Sequence, residues 1–380
     1  MTDAVAPAPA GTASGLKVGL LLPSLSGGGA EFVAVQWAEH LARQGHRPTL
    51  LTTHQPDATH PDVPVVALRA SSFPARVRAL RSHVAEARYD VLMGLMPHWN
   101  LLVLLATRGL SGAPATVISG RNVEAPLRRI HGLSYKVELG LAHRLYRSAD
   151  AYVAISHPVA AEAAGVYSLD PDRVWVVPNP ATGKDPARAA AARAEARAQV
   201  GTGDGRSVTL TIPARLVPQK RPVLAVETAA LLRERDGLDA RVDFFGKGPL
   251  EAEVRAAAER LGVPVTFRGW VTSWFDEAEP DAVVLLTSAA EGFANVLVEA
   301  AAAGIPSVAS SRALGSADAI VPHVTGEFAI GAEPADYADA VLAARGLAPV
   351  SQPAWLERFS PAESGRALEH VFRSITAARA

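Results

Sequence analysis

Residues 282–312 of this chain read AVVLLTSAAEGFANVLVEAAAAGIPSVASSR, and this stretch decides the fold class. It opens with a run of apolar and branched residues, which is typical of a strand buried on both faces of a parallel sheet. A helical pattern follows, and Gly304 and Pro306 end it. The stretch therefore predicts, in order, a strand over 282–287, a turn over 288–292, a helix from about 295 to 303 and a strand over 305–310.

Two carboxylates frame the predicted helix. Glu299 follows Glu291 by eight residues, and at about 100° per residue the two side chains would point about 80° apart on one helix. They would also lie about 12 Å apart along its axis, which is too far for a close acid and base pair. The spacing instead suits the two ends of one elongated ligand, such as a nucleotide sugar. Its phosphates would suit the predicted helix N-terminus between the carboxylates, at Gly292, Phe293, Ala294 and Asn295.

A surface helix that carries two glutamates by chance is the simpler interpretation, and the spacing alone favours it. The full string from Glu291 to Ser310 distinguishes between these interpretations better than the spacing of the two glutamates does. E-G-F-x-N-V-L-V-E-A followed by G-I-P-S-V-A-S closely resembles the E-x7-E motif of retaining glycosyltransferases of the GT4 type. The resemblance implies an α/β chain of the GT-B fold, in which two Rossmann-like parallel-sheet domains face a cleft. It extends over residues 16 to about 375.

A basic pair follows the strand predicted over 208–214. Arg215 and Lys220 lie beyond the carboxyl end of that strand, where open α/β sheets bind ligands. Arginine and lysine there suit phosphate oxygens, although a basic loop in solvent is the alternative. The string resembles the G-R-L-x-x-x-K-G motif of GT4 enzymes, with Ala214 and Arg221 in place of the two glycines. The resemblance implies that the pair binds the donor diphosphate.

A glycine loop follows the first predicted strand, which covers residues 16–23. Gly28 and Gly29 precede an amphipathic helix that reaches about Gln44, so backbone amides again lie at a helix N-terminus. The loop has neither the G-x-G-x-x-G spacing nor a P-loop lysine, which argues against dinucleotide and P-loop functions. Its G-G-A-E string resembles the start of many GT4 enzymes and so implies a donor contact. A tight turn alone would also account for the glycines.

Two further segments of the second half resemble donor contacts of the family. Gly246 belongs to a G-K-G-P turn, and Trp270 and Val271 follow a glycine at the place where similar enzymes meet the nucleobase. Trp270 suits stacking on a base, while packing within the protein is the commoner role of a tryptophan. Asp318 stands in place of the glutamate in the G-G-x-x-E-I string of the family, and the sequence leaves its role open.

The predicted acceptor side lies in the first half of the chain. Many GT4 enzymes carry a histidine after the strand that corresponds to residues 115–119, where this chain has Arg121 and Asn122. The sequence leaves open which of the two takes the place of the histidine. His98, which follows the strand predicted over 91–95, is the third candidate on the acceptor side.

Composition narrows the classes of function. The chain has 380 residues, which suits two domains of about 150 to 200 residues. Its 37 basic and 38 acidic residues balance, so no global field attracts nucleic acid. The absence of cysteine excludes disulfides, zinc-thiolate sites and a thiol nucleophile, and it fits a cytoplasmic protein. The predicted site has no D-x-D pair, so we expect no metal and no other cofactor, the nucleotide sugar being a substrate.

Residues 121–147 carry a local surplus of positive charge, with six basic residues against two acidic ones. A solvated helix face accounts for this surplus. The sharper alternative is contact with an anionic acceptor or with the inner face of a membrane. The most apolar long segment, residues 91–110, is broken by polar residues, so it predicts a buried strand and helix rather than a membrane span.

The alternation of strands and helices, with a proline-rich turn at residues 178–180, predicts five regions. They are a disordered tail over 1–15, an acceptor-side Rossmann-like domain over 16–180, an irregular linker over 181–205, a nucleotide-sugar-binding Rossmann-like domain over 206–350, and a C-terminal helix over 351–380. The resemblance implies that this last helix packs back on the N-terminal domain.

The resemblance also implies a reaction. A hexosyl group would pass from a nucleoside-diphosphate sugar, preferably of UDP rather than GDP, to a hydroxyl of a glycan, a lipid-linked saccharide or a natural product. Arg215, Lys220 and Glu291 would be catalytic, configuration would be retained, and Glu299 would bind the ribose. The alternatives are a sugar-nucleotide epimerase of the same fold and a sugar-nucleotide-binding protein without catalysis.

Overall fold

The computed structural model describes residues 15–25, 28–55, 58–127, 132–190, 195, 205–347 and 352–379. Nearly all of the tail predicted over 1–15, and much of the linker predicted over 181–205, lie outside these residues. The described chain forms two separate parallel sheets, each flanked by helices. This confirms the predicted α/β class with two Rossmann-like units.

The first sheet has seven parallel strands in the order β3-β2-β1-β4-β5-β6-β7. Its strands are β1 (Lys17–Leu22), β2 (Arg47–Thr52), β3 (Val65–Ala67), β4 (Val91–Leu95), β5 (Ala115–Gly120), β6 (Ala151–Ala154) and β7 (Val174–Val176). Its helices are α1 (Gly29–Arg43), α2 (Phe73–Ala87), α3 (Pro97–Thr107), α4 (Glu124–Leu127), α5 (Leu133–Leu145) and α6 (His157–Val166). The strand order reverses between β1 and β4, which opens a crevice at their carboxyl ends.

The apolar segment over residues 91–110 folds as predicted from its pattern. It forms β4, whose five residues are all buried, and α3, most of which is buried beside it. Met96 joins the two elements with a positive φ of 75°. Within the described ranges, no helix has both the length and the apolar content that crossing a bilayer requires.

The second sheet has six parallel strands in the order β10-β9-β8-β11-β12-β13. They are β8 (Ser207–Ile212), β9 (Asp239–Phe244), β10 (Val265–Phe267), β11 (Ala282–Leu286), β12 (Ser307–Ser310) and β13 (Gly326–Ala329). The helices are α7 (Pro222–Glu234), α8 (Glu251–Leu261), α9 (Trp274–Glu277), α10 (Asn295–Ala302) and α11 (Pro334–Arg345). The order reverses between β8 and β11, so the second crevice lies at the ends of these strands.

The stretch over 282–312 forms the predicted strand, loop, helix and strand, with Glu291 in the loop as predicted. Helix α10 begins only at Asn295, after a residue with non-helical φ and ψ of −97° and 86°. Glu291 therefore lies in the loop, and the angle of 80° and rise of 12 Å expected for a continuous helix do not apply. The loop is held instead by tertiary contacts, among them a hydrogen bond from Gly315 N–H to the Glu291 carbonyl at 3.1 Å.

The chain ends in two helices, α12 (Pro353–Glu357) and α13 (Pro361–Ala377). Helix α13 follows the second sheet in sequence but buries Leu368, Val371 and Phe372 in the apolar core of the first sheet, against Trp37 of α1. The Trp37 indole also donates a hydrogen bond to Ser364 Oγ at 2.8 Å. Two crossings of the chain, near residues 180 and 355, thus connect the two units.

Candidate active site

Lys220 and Glu291 form an ion pair at the carboxyl edge of the second sheet. They lie in the loops that follow β8 and β11, the strands between which the order reverses. Glu291 is only 6% exposed, and its Oε1 accepts a hydrogen bond from Lys220 Nζ. The ammonium offsets the cost of burying the carboxylate. Two residues singled out from the sequence are therefore in direct contact.

The loops that carry this pair are tied to each other by backbone contacts. Gln219 donates from its side chain to the Ala290 carbonyl at 2.9 Å, and Ala289 N–H donates to the Gln219 carbonyl at 2.8 Å. Arg221 has a left-handed φ of 49°, the conformation that glycine adopts most readily. Arg221 therefore has the backbone conformation expected for the second glycine of the family motif, although it is an arginine.

Arg215 extends from the same loop without a partner. Its side chain is exposed and makes no hydrogen bond or ion pair with any residue that the structure describes. The backbone below it is fixed by close packing, because a Cβ at Gly246 would lie 2.0 Å from the Ala214 carbonyl oxygen. A loop that carries an exposed guanidinium and also Lys220 suits an anion.

The N-terminus of α10 lies directly after Glu291. The backbone N–H groups of Phe293, Ala294 and Asn295 make no hydrogen bond within the described ranges, so they can bind an anion as predicted. The Phe293 ring itself is buried and packs on Phe359 with ring centroids 5.4 Å apart. Phe293 thus combines a packing side chain with a free backbone amide.

Gly292 lies where the loop after β11 packs closely on the first unit. A Cβ on Gly292 would lie 2.2 Å from the Arg121 carbonyl oxygen and 2.6 Å from Asn122 Cα. From the other side, Ser156 Oγ donates a hydrogen bond of 2.6 Å to the Gly292 carbonyl. The loop after β11 is therefore enclosed by the loops after β5 and β6 of the first sheet, and only glycine fits between them.

Asp318 also lies between the two units. Its Oδ2 accepts a hydrogen bond from the backbone N–H of His157 at 2.7 Å and lies 2.8 Å from His157 Nδ1. The carboxylate caps the N-terminus of α6, where a negative charge is favourable. This contact accounts for the residue whose role the sequence left open, and no sequence pattern had indicated Ser156 or His157.

The glycine loop of the first unit faces the N-terminus of α10. A Cβ at Gly29 would lie 3.8 Å from Asn295 Nδ2, and Asn295 Oδ1 accepts a hydrogen bond from Asn179 Nδ2 at 2.9 Å. Gly28 precedes α1, and a Cβ there would lie 2.6 Å from Glu31 Oε2. The predicted positions Gly28, Gly29 and Asn295 therefore line one side of the cleft, together with a carboxylate.

Glu299, the second predicted carboxylate, is buried with two partners that the sequence did not indicate. It is 2% exposed. Its Oε2 accepts from the Trp274 indole N–H at 2.6 Å, and its Oε1 accepts from Lys184 Nζ at 3.1 Å. Lys184 comes from the segment that connects the two sheets, so this contact depends on the tertiary arrangement.

Trp270 and Val271 follow Gly269, which has a positive φ of 73°. The Trp270 side chain is 70% exposed, and it has no ring contact with any described residue. An exposed indole beside Gly269 is available for stacking on a planar group. Val271 is half-buried and packs against the core of the interface.

Arg121 and Asn122 differ in orientation. The Arg121 guanidinium is buried and lies 5.4 Å from the centre of the Trp37 ring, and burial lowers its pKa to about 10, while Glu31 opposes that shift. Its Nη1 atom has no hydrogen-bond partner among the described residues. Asn122 is half-buried, and its backbone lies against Gly292. The backbones of both candidates therefore lie beside the predicted sugar loop, but the Arg121 guanidinium packs on Trp37.

His98 belongs to a polar cluster further along the first sheet. Its Nδ1 lies 3.0 Å from Glu138 Oε1, and its Nε2 lies 3.4 Å from Arg76 Nη1. Arg76 also contacts His54, which lines a pocket of about 360 Å³ at the carboxyl ends of β2 and β3. His98 therefore lies behind this pocket on the predicted acceptor side. The sequence did not indicate His54 or Arg76.

Glu124 lies close to the same side of the cleft. It is buried beside α6, and burial, together with the neighbouring Glu162, raises the pKa of its carboxyl to about 8. Glu162 has its own role, because its carboxylate accepts from the backbone N–H groups of Glu124 and Ala125. Burial thus disfavours the charged form of the Glu124 carboxyl.

Two protein-family descriptions match the chain. Residues 27–181 match Glycosyltransferase Family 4, and residues 207–345 match Glycosyl transferases group 1. The chain belongs to the GT4-type glycosyltransferases. The first match covers the first sheet except β1, the second covers the whole second sheet, and the Lys220 and Glu291 pair lies within the second.

Curated relatives and solved structures agree with this family. The D-inositol 3-phosphate glycosyltransferase of Pseudarthrobacter chlorophenolicus is 28% identical over 82% of this chain and 81% of that protein. The protein of the same name from Streptomyces scabiei is 28% identical over 82% and 77%. HepE of Anabaena, solved with UDP-glucose, has a TM-score of 0.71 at 18% identity over 94% of this chain and 100% of that one. A Rickettsia africae glycosyltransferase has a TM-score of 0.73 at 16% identity over 96% and 99%.

The contact at Gly292 makes a specific prediction for the GT4-type chain. Gly292→Ala places a methyl group 2.2 Å from the Arg121 carbonyl oxygen, so the backbone of one loop must move. A displacement of about 1 Å at a reacting centre can cost about 10² in rate. We expect a loss of that order in initial rates of sugar transfer. Gly165→Ala on α6, where a Cβ meets no atom within 4 Å, is the control. Equal rates for the two variants would contradict the prediction.

Proposed function

We propose that this glycosyltransferase moves a hexosyl group from a nucleoside-diphosphate sugar to an acceptor hydroxyl, with retention of configuration and without a metal ion. The contact between Lys220 and Glu291 carries the proposal, and the exposed Arg215 of the same loop has no partner among the described residues. In a sugar nucleotide, the sugar ring adjoins the diphosphate. A carboxylate for sugar hydroxyls and a cation for phosphate should therefore touch, as these two do.

Each residue then has a distinct role in the reaction. Arg215 and Lys220 stabilise the charge that grows on the diphosphate as the bond from the sugar C1 to oxygen breaks. The free amides at the start of α10 add to this stabilisation. The acceptor oxygen bonds to C1 from the same face, and its proton passes to the departing diphosphate, so no protein nucleophile is needed. Glu291 holds the sugar hydroxyls, and Glu299 holds those of the ribose.

The donor and acceptor classes rest on the relatives. HepE, which shares the fold, was solved with UDP-glucose, which supports a UDP-sugar donor. The curated relatives are named for D-inositol 3-phosphate, a molecule with several hydroxyls and a phosphate. They support a hydroxyl acceptor, and a polyol of this kind joins the glycan, lipid-linked saccharide and natural product as a candidate. The pocket beside His54 is of a size to hold such a ring.

Turnover should persist in excess EDTA, because Arg215 and Lys220 supply the positive charge that a metal would otherwise provide. Arg215→Ala and Lys220→Ala should each lower kcat on the order of 10². The measurement is sugar transfer from UDP-hexoses to candidate acceptors, with the anomeric configuration of the product read by NMR. Donor incubated alone should not be converted, whereas an epimerase would convert it. Activity that EDTA abolishes and Mg²⁺ or Mn²⁺ restores would contradict this mechanism.

The two glutamates should act on different parts of the donor. Glu299→Ala should weaken binding of UDP and of the whole donor alike, while Glu291→Ala should spare UDP and impair the donor. Removing one buried hydrogen-bond acceptor should weaken the binding free energy by about 1 to 3 kcal/mol, but only for ligands that bond to that acceptor. Calorimetric titration of both variants with UDP and with a non-hydrolysable donor gives the comparison. Equal loss of UDP in the two variants would refute the assignment.

A second surface supports docking of this cytoplasmic enzyme on the inner face of an anionic membrane. Helix α5 exposes Leu133, Val137 and Leu141 by 77%, 54% and 39%, and their spacing of four residues places them on one face. Lys136 and Arg144 are exposed beside them. An apolar stripe flanked by cations is typical of helices that lie in a membrane interface. Arg128 and Arg129, which were part of the predicted basic segment, lie outside the described residues.

Docking through α5 predicts binding to lipid vesicles that depends on both charge and the stripe. The protein should sediment with vesicles that contain phosphatidylglycerol, less so with vesicles of phosphatidylcholine alone, and less at high salt. Val137→Glu should reduce binding. Val166→Glu, at an exposed valine on α6, is the matched control and should bind normally. Equal binding to both vesicles, or by both variants, would refute this surface.

A further inference from the structure

Lys184 connects three parts of the molecule. Its Nζ donates a hydrogen bond to Glu299 Oε1 at 3.1 Å, and the same ammonium lies 5.5 Å from the centre of the Phe32 ring on α1. The lysine itself belongs to the segment that follows β7 and leads to the second sheet. One side chain therefore joins the first unit, the crossing segment and a buried carboxylate of the second unit.

The backbone around Lys184 is fixed. A Cβ at Gly183 would lie 3.1 Å from Phe32 Cζ and 3.1 Å from Gln36 Oε1, so the turn packs directly on α1. Thr182 N–H and Thr182 Oγ1 both donate to the Phe359 carbonyl, at 3.1 Å and 3.2 Å. The lysine thus extends toward Glu299 from a turn held by α1 and by the second crossing of the chain.

The carboxylate of Glu299 keeps unused acceptor capacity. A carboxylate has about four lone-pair positions, and Lys184 and Trp274 occupy one on each oxygen. Burial at 2% exposure makes an unpaired charge costly, and Lys184 is the cation that the structure pairs with it in the described chain. The indole fixes the second oxygen, so the carboxylate is held in one orientation with positions left for two hydroxyl donors.

We propose that Lys184 is a positioning residue for the ribose of the donor. Its ammonium pairs with the Glu299 carboxylate and holds it in an orientation in which the two free lone-pair positions accept the ribose hydroxyls. The contact with the Phe32 ring helps to hold the Lys184 ammonium beside Glu299. Binding of the nucleoside by the second unit therefore also depends on α1 of the first unit, which carries Phe32. This inference rests on the proposed function, in which Glu299 binds the ribose.

The test compares a ribonucleotide with its deoxy analogue. UDP and 2′-deoxy-UDP are titrated by calorimetry into the full-length protein, with GDP and 2′-deoxy-GDP in parallel. The wild type should prefer the ribonucleotide about tenfold or more, since a buried acceptor is left unpaired by the deoxy ligand. Lys184→Met should weaken ribonucleotide binding about tenfold and bring the preference close to one. Lys184→Arg, which keeps a cation, should retain most of the preference.

A matched control distinguishes a role of Lys184 in positioning Glu299 from a role in merely attaching the crossing segment to the second unit. Arg188, in the same crossing segment, pairs with Asp276 of α9 at 2.9 Å and does not reach Glu299. Arg188→Met should keep the full preference for the ribonucleotide. Phe32→Leu leaves Lys184 in the chain but removes the ring, and it should lower the preference by a smaller factor than Lys184→Met does. This variant also tests the proposal if Lys184→Met fails to fold.

The outcomes are distinct. A Lys184→Met protein that melts at lower temperature but keeps the wild-type preference would show a structural tie and overturn the inference. An unchanged preference in Phe32→Leu would overturn the dependence on α1. A wild type that binds neither UDP nor GDP, or that binds ribo and deoxy forms equally, would overturn the assignment of Glu299 under the proposed function and this inference with it.

Discussion

Two carboxylates buried at the carboxyl edge of the second sheet set the main constraint on this site. A carboxylate removed from water needs a cation or several hydrogen bonds close by. Glu291 has Lys220, and Glu299 has Lys184 with the Trp274 indole. The lysines come from different places, one from the loop after β8 and one from the crossing segment. Lys220 reaches Glu291 because β8 and β11 are neighbours in the sheet, and Lys184 reaches Glu299 because the crossing segment passes beside α10. Compensation of the two buried charges therefore depends both on the strand order and on the segment that connects the two units.

The same edge is narrowed by the first unit. Gly292 lies against the backbone of Arg121 and Asn122, and the carboxylate of Asp318 caps α6 beside it. Each of these contacts joins the loop that carries Glu291 to the first unit. Lys184 and Phe32 do the same at Glu299. The two units thus meet both at the loop that carries Glu291 and at Glu299.

The sequence predicted the parts of this arrangement that depend on local pattern. Strands such as β4 and β11 are runs of buried apolar residues, and Gly304 ends α10. Loop residues after strand ends, among them Lys220 and Glu291, were found because parallel strands direct their carboxyl ends to one edge. The start of α10 and the place of Glu291 in the loop before it were predicted correctly, whereas the distance between the two carboxylates was not, because it was calculated for one helix spanning both. Tertiary contacts of the loop, which no local pattern encodes, decide its position.

Lys184 shows why the rest was not predictable. In the sequence it is one lysine in a polar segment after a proline turn, and nothing near it indicates a ligand. Its importance comes from an interaction over 115 residues of chain with Glu299. The buried carboxylate gives the only sequence-level signal, because a glutamate predicted on an apolar helix must find a cation somewhere. Which cation it finds is decided by how the crossing segment folds between two domains, and that depends on both domains at once.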